Sequence, residues 1–368
     1  MSLKRISLFY AGVCIAIYMA ILLGSILPDK LENTGLDYIS AGVFLALFFV
    51  SAGAVFFYSK TISNKIYYGV LFINAMCLGL SYVEIHLVVL YFSAILQGLL
   101  FSIIVKAIIN NGPDQIKNFS SLALGVVLAA GMNFFPGEII NSYLIAAIML
   151  FILIFFNTGK TLISAENAQI MPKLQKRHFI VFSVLAIIIF LEVNFLVWSL
   201  ILKDESQGIL HQFTLILTCL MIFLFRRYFY NLKLKLSNIG WLFTFSILLT
   251  IGIGMLYTFN ITVFFVLVFS ISISYFYAIA HAVSGISFQS HHIAVLSFIF
   301  ALFMFIFGLI VQNHIEFAQA INIPENVLAL SARQALMKEM ASVSAVLIIL
   351  TGVLFLYRRK WKYESFNF

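Results

Sequence analysis

Residues 157–177 read NTGKTLISAENAQIMPKLQKR, a polar and basic stretch in a chain that is otherwise almost continuously apolar. Six long apolar runs precede this stretch and six follow it. A helix that spans a membrane needs about 20 mostly apolar residues. We therefore predict an all-α membrane protein with about twelve spanning helices, at 6–27, 36–58, 66–83, 85–110, 119–138, 139–156, 178–202, 208–229, 239–257, 259–284, 291–312 and 340–357.

The composition excludes a soluble protein. Hydrophobic residues make up 63% of the chain and charged residues only 10%, whereas soluble domains have about 45–50% apolar and about 25% charged residues. A net charge of +8 would fit a nucleic-acid-binding protein, but the basic residues lie in short clusters between apolar runs. We therefore predict a lipid bilayer, and no nucleic acid, as the surroundings of this chain.

The basic residues predict the orientation. Lys and Arg are retained on the cytoplasmic side of a membrane. If the N-terminus is cytoplasmic, the outside holds only Lys30, Lys203, Arg333 and Lys338, and the inside holds the other eighteen of the 22 basic residues. Those eighteen are Lys4, Arg5, Lys60, Lys65, Lys106, Lys117, Lys160, Lys173, Lys176, Arg177, Arg226, Arg227, Lys233, Lys235, Arg358, Arg359, Lys360 and Lys362. We predict a multi-pass inner (plasma) membrane protein with both termini cytoplasmic.

The central stretch divides the chain into three predicted parts. These are an N-terminal six-helix bundle at 1–156, a cytoplasmic loop at 157–177 and a C-terminal six-helix bundle at 178–368. The outside segment 313–339 carries Ile, Ala and Leu at helical spacing, with Pro324 in its first half. It is either a short amphipathic helix at the membrane surface or an ordinary loop.

Three segments carry a resemblance to a known family. The loop Tyr58–Lys65 has the length and two of the basic residues of a family signature but lacks its aspartate, and Gly125–Gly137 is a Gly- and Pro-containing run. The segment Leu330–Leu336 is the third. Together with six plus six helices, they resemble the major facilitator superfamily and its drug/proton antiporters. The resemblance implies two bundles that rock around a central solute site, with Lys60 and Lys65 at the inner gate.

Glu192 lies deep in the seventh predicted helix, just past its middle. A carboxylate at this depth is costly unless it is paired, protonated or faces a water-filled cavity. Glu192 is either a proton-coupling residue or a structural carboxyl group that forms a hydrogen bond to a neighbouring helix, for example through Asn194. The resemblance favours coupling, because the first and seventh helices line the cavity in that family.

Other polar residues at membrane depth are candidates for the solute cavity: Tyr18, Gln97, Asn194, Ser270, Ser274 and Tyr277. Ser270, Ser274 and Tyr277 share one helix face at i, i+4 and i+7, which indicates either a polar cavity wall or helix packing. Gln97 lies in the fourth helix, which lines the cavity in the family, yet such amides, like Asn74 and Asn133, are most often used for interhelical hydrogen bonds. Asp37, at the start of the second helix, is either a helix cap or an outer gate residue.

The sequence lacks the motifs of several common nucleotide-binding and catalytic sites. There is no G-x-x-x-x-G-K-[ST] phosphate loop, no H-E-x-x-H zinc motif and no G-x-S-x-G nucleophile, and the three cysteines lie singly in apolar runs. We therefore predict no metal, no cofactor and no enzyme activity. The prediction is a monomeric, proton-coupled efflux transporter of a small apolar or amphipathic solute. A nutrient uptake permease, a membrane-embedded transferase and a scaffold or sensor are the alternatives.

Overall fold

The computed structural model of the chain describes residues 38–58, 63–83, 87–109, 142–155 and 290–324, with isolated positions between 121 and 353. Over these residues the structure is helical and contains no strand. Five helices are continuous: α1 (Tyr38–Tyr58), α2 (Asn64–Val83), α3 (Leu87–Ile109), α4 (Ser142–Phe155) and α5 (Ser290–Ala320). They correspond to the second, third, fourth, sixth and eleventh predicted spans.

The chain forms two compact units. The first comprises Met1–Met171 and Gln289–Gln312, and the second comprises Pro172–Phe288 and Asn313–Phe368. The helices α1 to α4 and most of α5 belong to the first unit. The stretch 157–177 lies outside the described residues, so its role as a cytoplasmic loop between two bundles stays a prediction.

Three of the five helices contain a stretch that is long and apolar enough to cross a bilayer, namely Tyr38–Phe57, Leu87–Ile104 and Ile293–Ala320. An α-helix forms most of its backbone hydrogen bonds within the same segment, which is what a lipid environment demands. At the start of α2, Ser63 Oγ accepts a hydrogen bond from the Ile66 backbone N–H at 3.3 Å. Ser63 is therefore the N-cap of α2.

Helix α5 is longer than its apolar run predicts. The sequence places a boundary after residue 312, but the helix continues for eight more residues to Ala320, so the interpretation of 313–320 as part of an outside loop or a separate helix is wrong. The polar residues that follow residue 312 end the apolar run, but they do not interrupt the helix. Asn322, two residues after the helix ends, has a φ of 57°, and the Ile323 N–H donates to the Ala318 carbonyl at 3.0 Å. This is a Schellman cap.

Helices α3 and α2 are the two inner members of the contacts among the first four helices. Helix α3 packs against both α1 and α2, and α2 packs in turn against α4. The largest side chains that are fully buried are Tyr67, Leu71 and Leu78 of α2 and Leu100, Ile103 and Ile104 of α3. The opposite face of α2 exposes Ile66, Phe72, Met76 and Leu80. Apolar side chains thus lie on both sides of α2, as expected for a helix between protein and lipid.

Helices α1 and α5 contact each other along an antiparallel interface, here named the α1–α5 seam. Its residues are Tyr38, Gly42, Phe49 and Gly53 of α1 and Ala294, Phe298, Phe300, Met304, Gly308 and Gln312 of α5. A Cβ built on Gly42 would lie 2.9 Å from the Met304 carbonyl oxygen and 3.1 Å from Gly308 Cα. Only glycine allows the two backbones to come this close.

Candidate functional site

Polar side chains are buried where α1, α2 and α3 meet. Asn74 and Ser102 are 0% exposed, Ser93 is 1% exposed and Gln97 is 3% exposed. Ser51 of α1 is also buried. We name these five residues the buried polar stripe. Buried polar groups in apolar surroundings require hydrogen-bond partners, and the partners decide which of these residues are available for a solute.

The serines at the edges of the stripe use their hydroxyl groups within their own helices. Ser51 Oγ donates to the Phe48 carbonyl oxygen at 2.9 Å, and Ser102 Oγ donates to the Leu99 carbonyl oxygen at 2.8 Å. Bonds of this kind satisfy a hydroxyl in lipid without a second helix. Hydrogen bonds within their own helices therefore explain how the hydroxyl groups of Ser51 and Ser102 can be buried.

Asn74 and Ser93 connect two helices. Asn74 lies at the middle of α2, and its Oδ1 accepts a hydrogen bond from Ser93 Oγ of α3 at 3.4 Å. The prediction that Asn74 makes an interhelical hydrogen bond is confirmed. Among the residues that the structure describes, the other end of the same amide, Nδ2, has no hydrogen-bond partner, although the side chain is fully buried. The stripe therefore contains an amide donor that is available for an acceptor.

Gln97 lies one helical turn after Ser93 on α3, so both side chains point to the same side of the helix. It is buried, and the next residue, Gly98, packs directly against Phe48 and Ser51 of α1. The stripe carries two carboxamides and three hydroxyls and no charged side chain. Groups of this kind can bind a neutral polar atom of a solute by hydrogen bonds, but they cannot neutralise a charge.

The structure describes two of the predicted site residues, and the roles predicted for both stay predictions. Lys65 is exposed at the second position of α2, and Gln97 is buried in the stripe. The other predicted residues lie outside the described part of the chain and stay predictions: Glu192, Tyr18, Asn194, Ser270, Ser274, Tyr277, Asp37 and Lys60. Among the positions that the structure describes, no three His, Cys, Asp or Glu side chains are grouped as metal ligands.

Ser51 and Ser93 were not predicted from the sequence. A serine in an apolar run is common and carries little signal of its own. The spacing of Ser93 and Gln97, which is one helical turn, is the feature from which a polar stripe on α3 could have been inferred.

Solved transporters have a similar fold. A mutant of the nucleoside transporter NupG matches with a TM-score of 0.62 and 14% identity, over 96% of this chain and 100% of its own. A bacterial homologue of the human lysosomal transporter Spinster matches in two inward-facing forms. The TM-scores are 0.54 for the occupied form and 0.56 for the unoccupied form, with 15% identity over 97% of this chain and 96% of that chain. No protein-family model matches the sequence, and no curated protein matches it significantly.

These matches extend over almost the whole of both chains, so they concern the complete architecture and not one helical hairpin. Because the sequence identity is only 14–15%, the matches show that the fold is similar and nothing beyond the fold. The described helices are apolar, and the similar structures are those of major facilitator transporters. The chain is therefore a multi-pass membrane protein with the major facilitator fold.

Proposed function

We propose that this chain is a secondary active transporter that moves a small solute across the inner membrane by alternating access. The observation that supports the proposal best is the match to two different transporters over at least 96% of each chain. A transporter needs the complete set of helices on both sides of its solute path. Similarity of the whole architecture is therefore a stronger argument for transport than similarity of a part.

The solute in this proposal is uncharged and apolar or amphipathic. Only 10% of the residues are charged, and the polar groups buried among α1, α2 and α3 are amides and hydroxyls. A charged solute at membrane depth requires a counter-ion, because the desolvation cost of a lone charge is large. The sequence offers one deep carboxylate, Glu192, and no deep basic residue to accompany it.

Glu192 is proposed to couple transport to protons. A carboxyl group in the interior of a membrane protein can be neutral in one conformation and ionised in another, since its exposure to water changes between the two. We propose that the direction is efflux, in which a proton enters as the solute leaves. This role rests on the position of Glu192 in the sequence, since the residue lies outside the described part of the chain.

Glu192→Gln tests the coupling. In proteoliposomes with an imposed pH gradient, we expect Glu192→Gln to reduce proton-driven solute movement at least tenfold, because glutamine has the shape of glutamic acid and carries no exchangeable charge. Exchange of labelled solute across the membrane without a gradient should continue. The measurement is the initial rate of solute flux, with and without the pH gradient.

Glu316→Gln is the matched control. Glu316 is exposed and lies near the C-terminal end of α5. The same loss of charge at this position should leave the proton-driven rate unchanged. The coupling role is refuted if Glu192→Gln transports as well as the parent protein, or if both substitutions reduce transport to the same extent.

Nutrient uptake by the same fold is the second candidate, and one comparison favours it. NupG is described as a nucleoside transporter, and a nucleoside is a neutral solute with hydrogen-bonding groups that amides such as Asn74 and Gln97 can bind. Counterflow of labelled nucleosides and of hydrophobic dyes into the same proteoliposomes distinguishes the two candidates. Dye movement without nucleoside movement supports efflux, and the reverse supports uptake.

A further inference from the structure

One face of α2 exposes a cation in its first turn and apolar side chains along the rest of its length. Lys65, the second residue of the helix, is exposed. Phe72, Met76 and Leu80 are 51%, 47% and 56% exposed. At about 100° of rotation per residue, these four positions lie on the same side of the helix. We name this side the outer face of α2.

The length of α2 matches the thickness of a bilayer. The helix has 20 residues, so it is about 30 Å long, and the hydrocarbon core of a membrane is also about 30 Å thick. A helix of this length that crosses the bilayer places Lys65 at one membrane surface and Phe72 and Met76 at the depth of the acyl chains. The sorting of basic residues predicts that this surface is cytoplasmic, and anionic phospholipids give the cytoplasmic surface its negative potential.

A notch lies on the outer face one turn after Lys65. Within the described part of the chain, nothing lies within 4 Å of a Cβ built on Gly69. The next turn carries the exposed side chains of Phe72 and Ile73, and the ring centroid of Phe72 lies 6.0 Å from that of Phe151 on α4. The notch is therefore open beside the cation and is bounded on the side of the membrane interior by apolar side chains.

A phospholipid has the same order of groups as this face, with a phosphate at the membrane surface and apolar chains beneath it. The ammonium group of lysine is a point charge with three donors on a flexible stem, so it can reach a phosphate beside the helix. A zwitterionic headgroup carries its own cation next to the phosphate, whereas an anionic headgroup has a net negative charge. Charge complementarity therefore favours an anionic phospholipid at Lys65.

We propose that the outer face of α2 is a binding site for an anionic phospholipid. The Lys65 ammonium group binds the phosphate, the notch at Gly69 admits the glycerol backbone to the helix surface, and Phe72 and Met76 contact an acyl chain. The proposal goes beyond the proposed transport function, because it concerns the side of the protein that faces lipid and no step of solute movement.

Fluorescence quenching by brominated phospholipids tests the site. In the full chain in lipid vesicles, Trp198, Trp241 and Trp361 would be replaced by phenylalanine, and Phe72→Trp would be the reporter, about 10 Å deeper than Lys65. Quenching gives the binding constant of brominated phosphatidylglycerol relative to brominated phosphatidylcholine. We expect about a fivefold preference for phosphatidylglycerol at low salt, the effect of one basic residue near an anionic surface. In about 1 M salt the preference should disappear, because exposed charges are screened.

Substitutions of lysine test the charge. Lys65→Gln should remove the preference for phosphatidylglycerol, whereas Lys65→Arg keeps the charge and should keep the preference within about twofold of the parent value. Lys338→Gln is the matched control, since it makes the same change at an exposed lysine of the second unit. It should leave the preference at the reporter unchanged.

Substitutions of glycine test the notch. Gly69→Leu fills the notch and keeps Lys65, so it should lower the preference at least twofold. Gly79→Leu is the matched control near the other end of α2, where nothing lies within 4 Å of a built Cβ either. It should leave the preference unchanged, because position 79 is far from the headgroup at Lys65.

Three results would overturn the proposal. The first is a parent protein with no preference for phosphatidylglycerol, and the second is a preference that survives Lys65→Gln. The third is a reporter that neither brominated lipid quenches, since a protein surface such as a second copy of this chain would then cover the outer face. Equal losses in Gly69→Leu and Gly79→Leu would remove the notch from the site. The vesicles contain no solute, so none of these results depends on whether the chain is a transporter.

Discussion

The two ends of the Asn74 amide have opposite effects on the stability of the fold. Its Oδ1 accepts a hydrogen bond from Ser93 at 3.4 Å, which is longer than the about 2.5–3.0 Å usual for an O–H···O bond and therefore indicates a weak bond. Interhelical hydrogen bonds of this kind contribute about 0.6 kcal/mol on average in membrane proteins. Its Nδ2 is buried and has no partner within the described part of the chain, and an unsatisfied buried donor costs about 1–3 kcal/mol. The cost exceeds the gain, so Asn74 as a whole should not stabilise the fold.

We therefore expect Asn74→Leu to leave the free energy of unfolding unchanged or to raise it by up to about 1 kcal/mol. Leucine has the same branched arrangement of heavy atoms as asparagine, with two methyl groups in place of the amide oxygen and nitrogen, and it needs no hydrogen-bond partner. Ser93→Ala should have the opposite effect and lower the free energy of unfolding by about 1 kcal/mol, because it leaves both ends of the Asn74 amide unpaired. Both values would be measured by denaturant unfolding in the same detergent.

A loss of stability above about 2 kcal/mol in Asn74→Leu would contradict this account, since it would mean that Nδ2 does have a partner in the folded protein.

The same variant also tests whether the Asn74 amide has a role in transport. If solute flux falls while stability is kept, the amide is retained for binding. An amide in the middle of an apolar helix is conspicuous in the sequence, and this is why Asn74 could be identified before its structure was known.

At the scale of elements, Gly98 fixes the distance between α3 and α1. A Cβ built on Gly98 would overlap Ser51 Oγ and the Phe48 carbonyl oxygen. The Phe48 oxygen belongs to the backbone and cannot rotate away. Nearby, the rings of Phe48 and Phe101 pack with their centroids 5.7 Å apart, and Tyr91 Oη donates to the Ser40 carbonyl oxygen at 3.5 Å. Helices α1 and α3 thus run parallel and in contact along much of their length.

Gly98→Ala should therefore lower the free energy of unfolding by about 2–3 kcal/mol, because the extra methyl group forces two helix backbones apart. Gly79→Ala on α2 is the matched control, since nothing lies within 4 Å of a Cβ at Gly79. Alanine has the higher helix propensity, so Gly79→Ala should be neutral or stabilise the protein by up to about 1 kcal/mol. The measurement is thermal unfolding followed by the loss of monodisperse protein.

Combining Gly98→Ala with Ser51→Ala separates the two contacts at Gly98. Removing Ser51 Oγ should restore only part of the lost stability, because the Phe48 carbonyl group remains in place. Full recovery of stability in the double variant would show that the backbone contact between the helices is looser than we infer.

The described helices show what hydropathy can and cannot predict about elements. The ends of α1, α2, α3 and α4 lie within three residues of the ends of the predicted spans, because the length of an apolar run determines where a chain enters and leaves lipid. The end of α5 is missed by eight residues, because the signal that ends it is the Asn322 cap. Which helices touch was not predicted either. The close contacts at Gly42, Gly98 and Gly308 depend on a neighbour that is distant in the sequence.

At the scale of the whole molecule, the fold is recognisable although only 14–15% of the residues are identical to those of the similar structures. Two features that do not depend on particular residues explain this. Lipid requires apolar helices of a set length, and the basic residues between them set the orientation. Because many sequences satisfy both conditions, the architecture could be predicted from the sequence, while the solute and the pairs of touching residues could not.

The sorting of basic residues leads to a prediction about the complete chain. Eighteen of the 22 Lys and Arg residues share one predicted side, so both termini should be cytoplasmic. A single cysteine added to either end, in a background with Cys14, Cys77 and Cys219 replaced, should react with an impermeant maleimide only after the cells are permeabilised. Lys203→Cys, in a predicted outside loop, is the matched control and should react in intact cells. One terminus that reacts before permeabilisation would mean an odd number of spans, which two matching six-helix bundles do not allow.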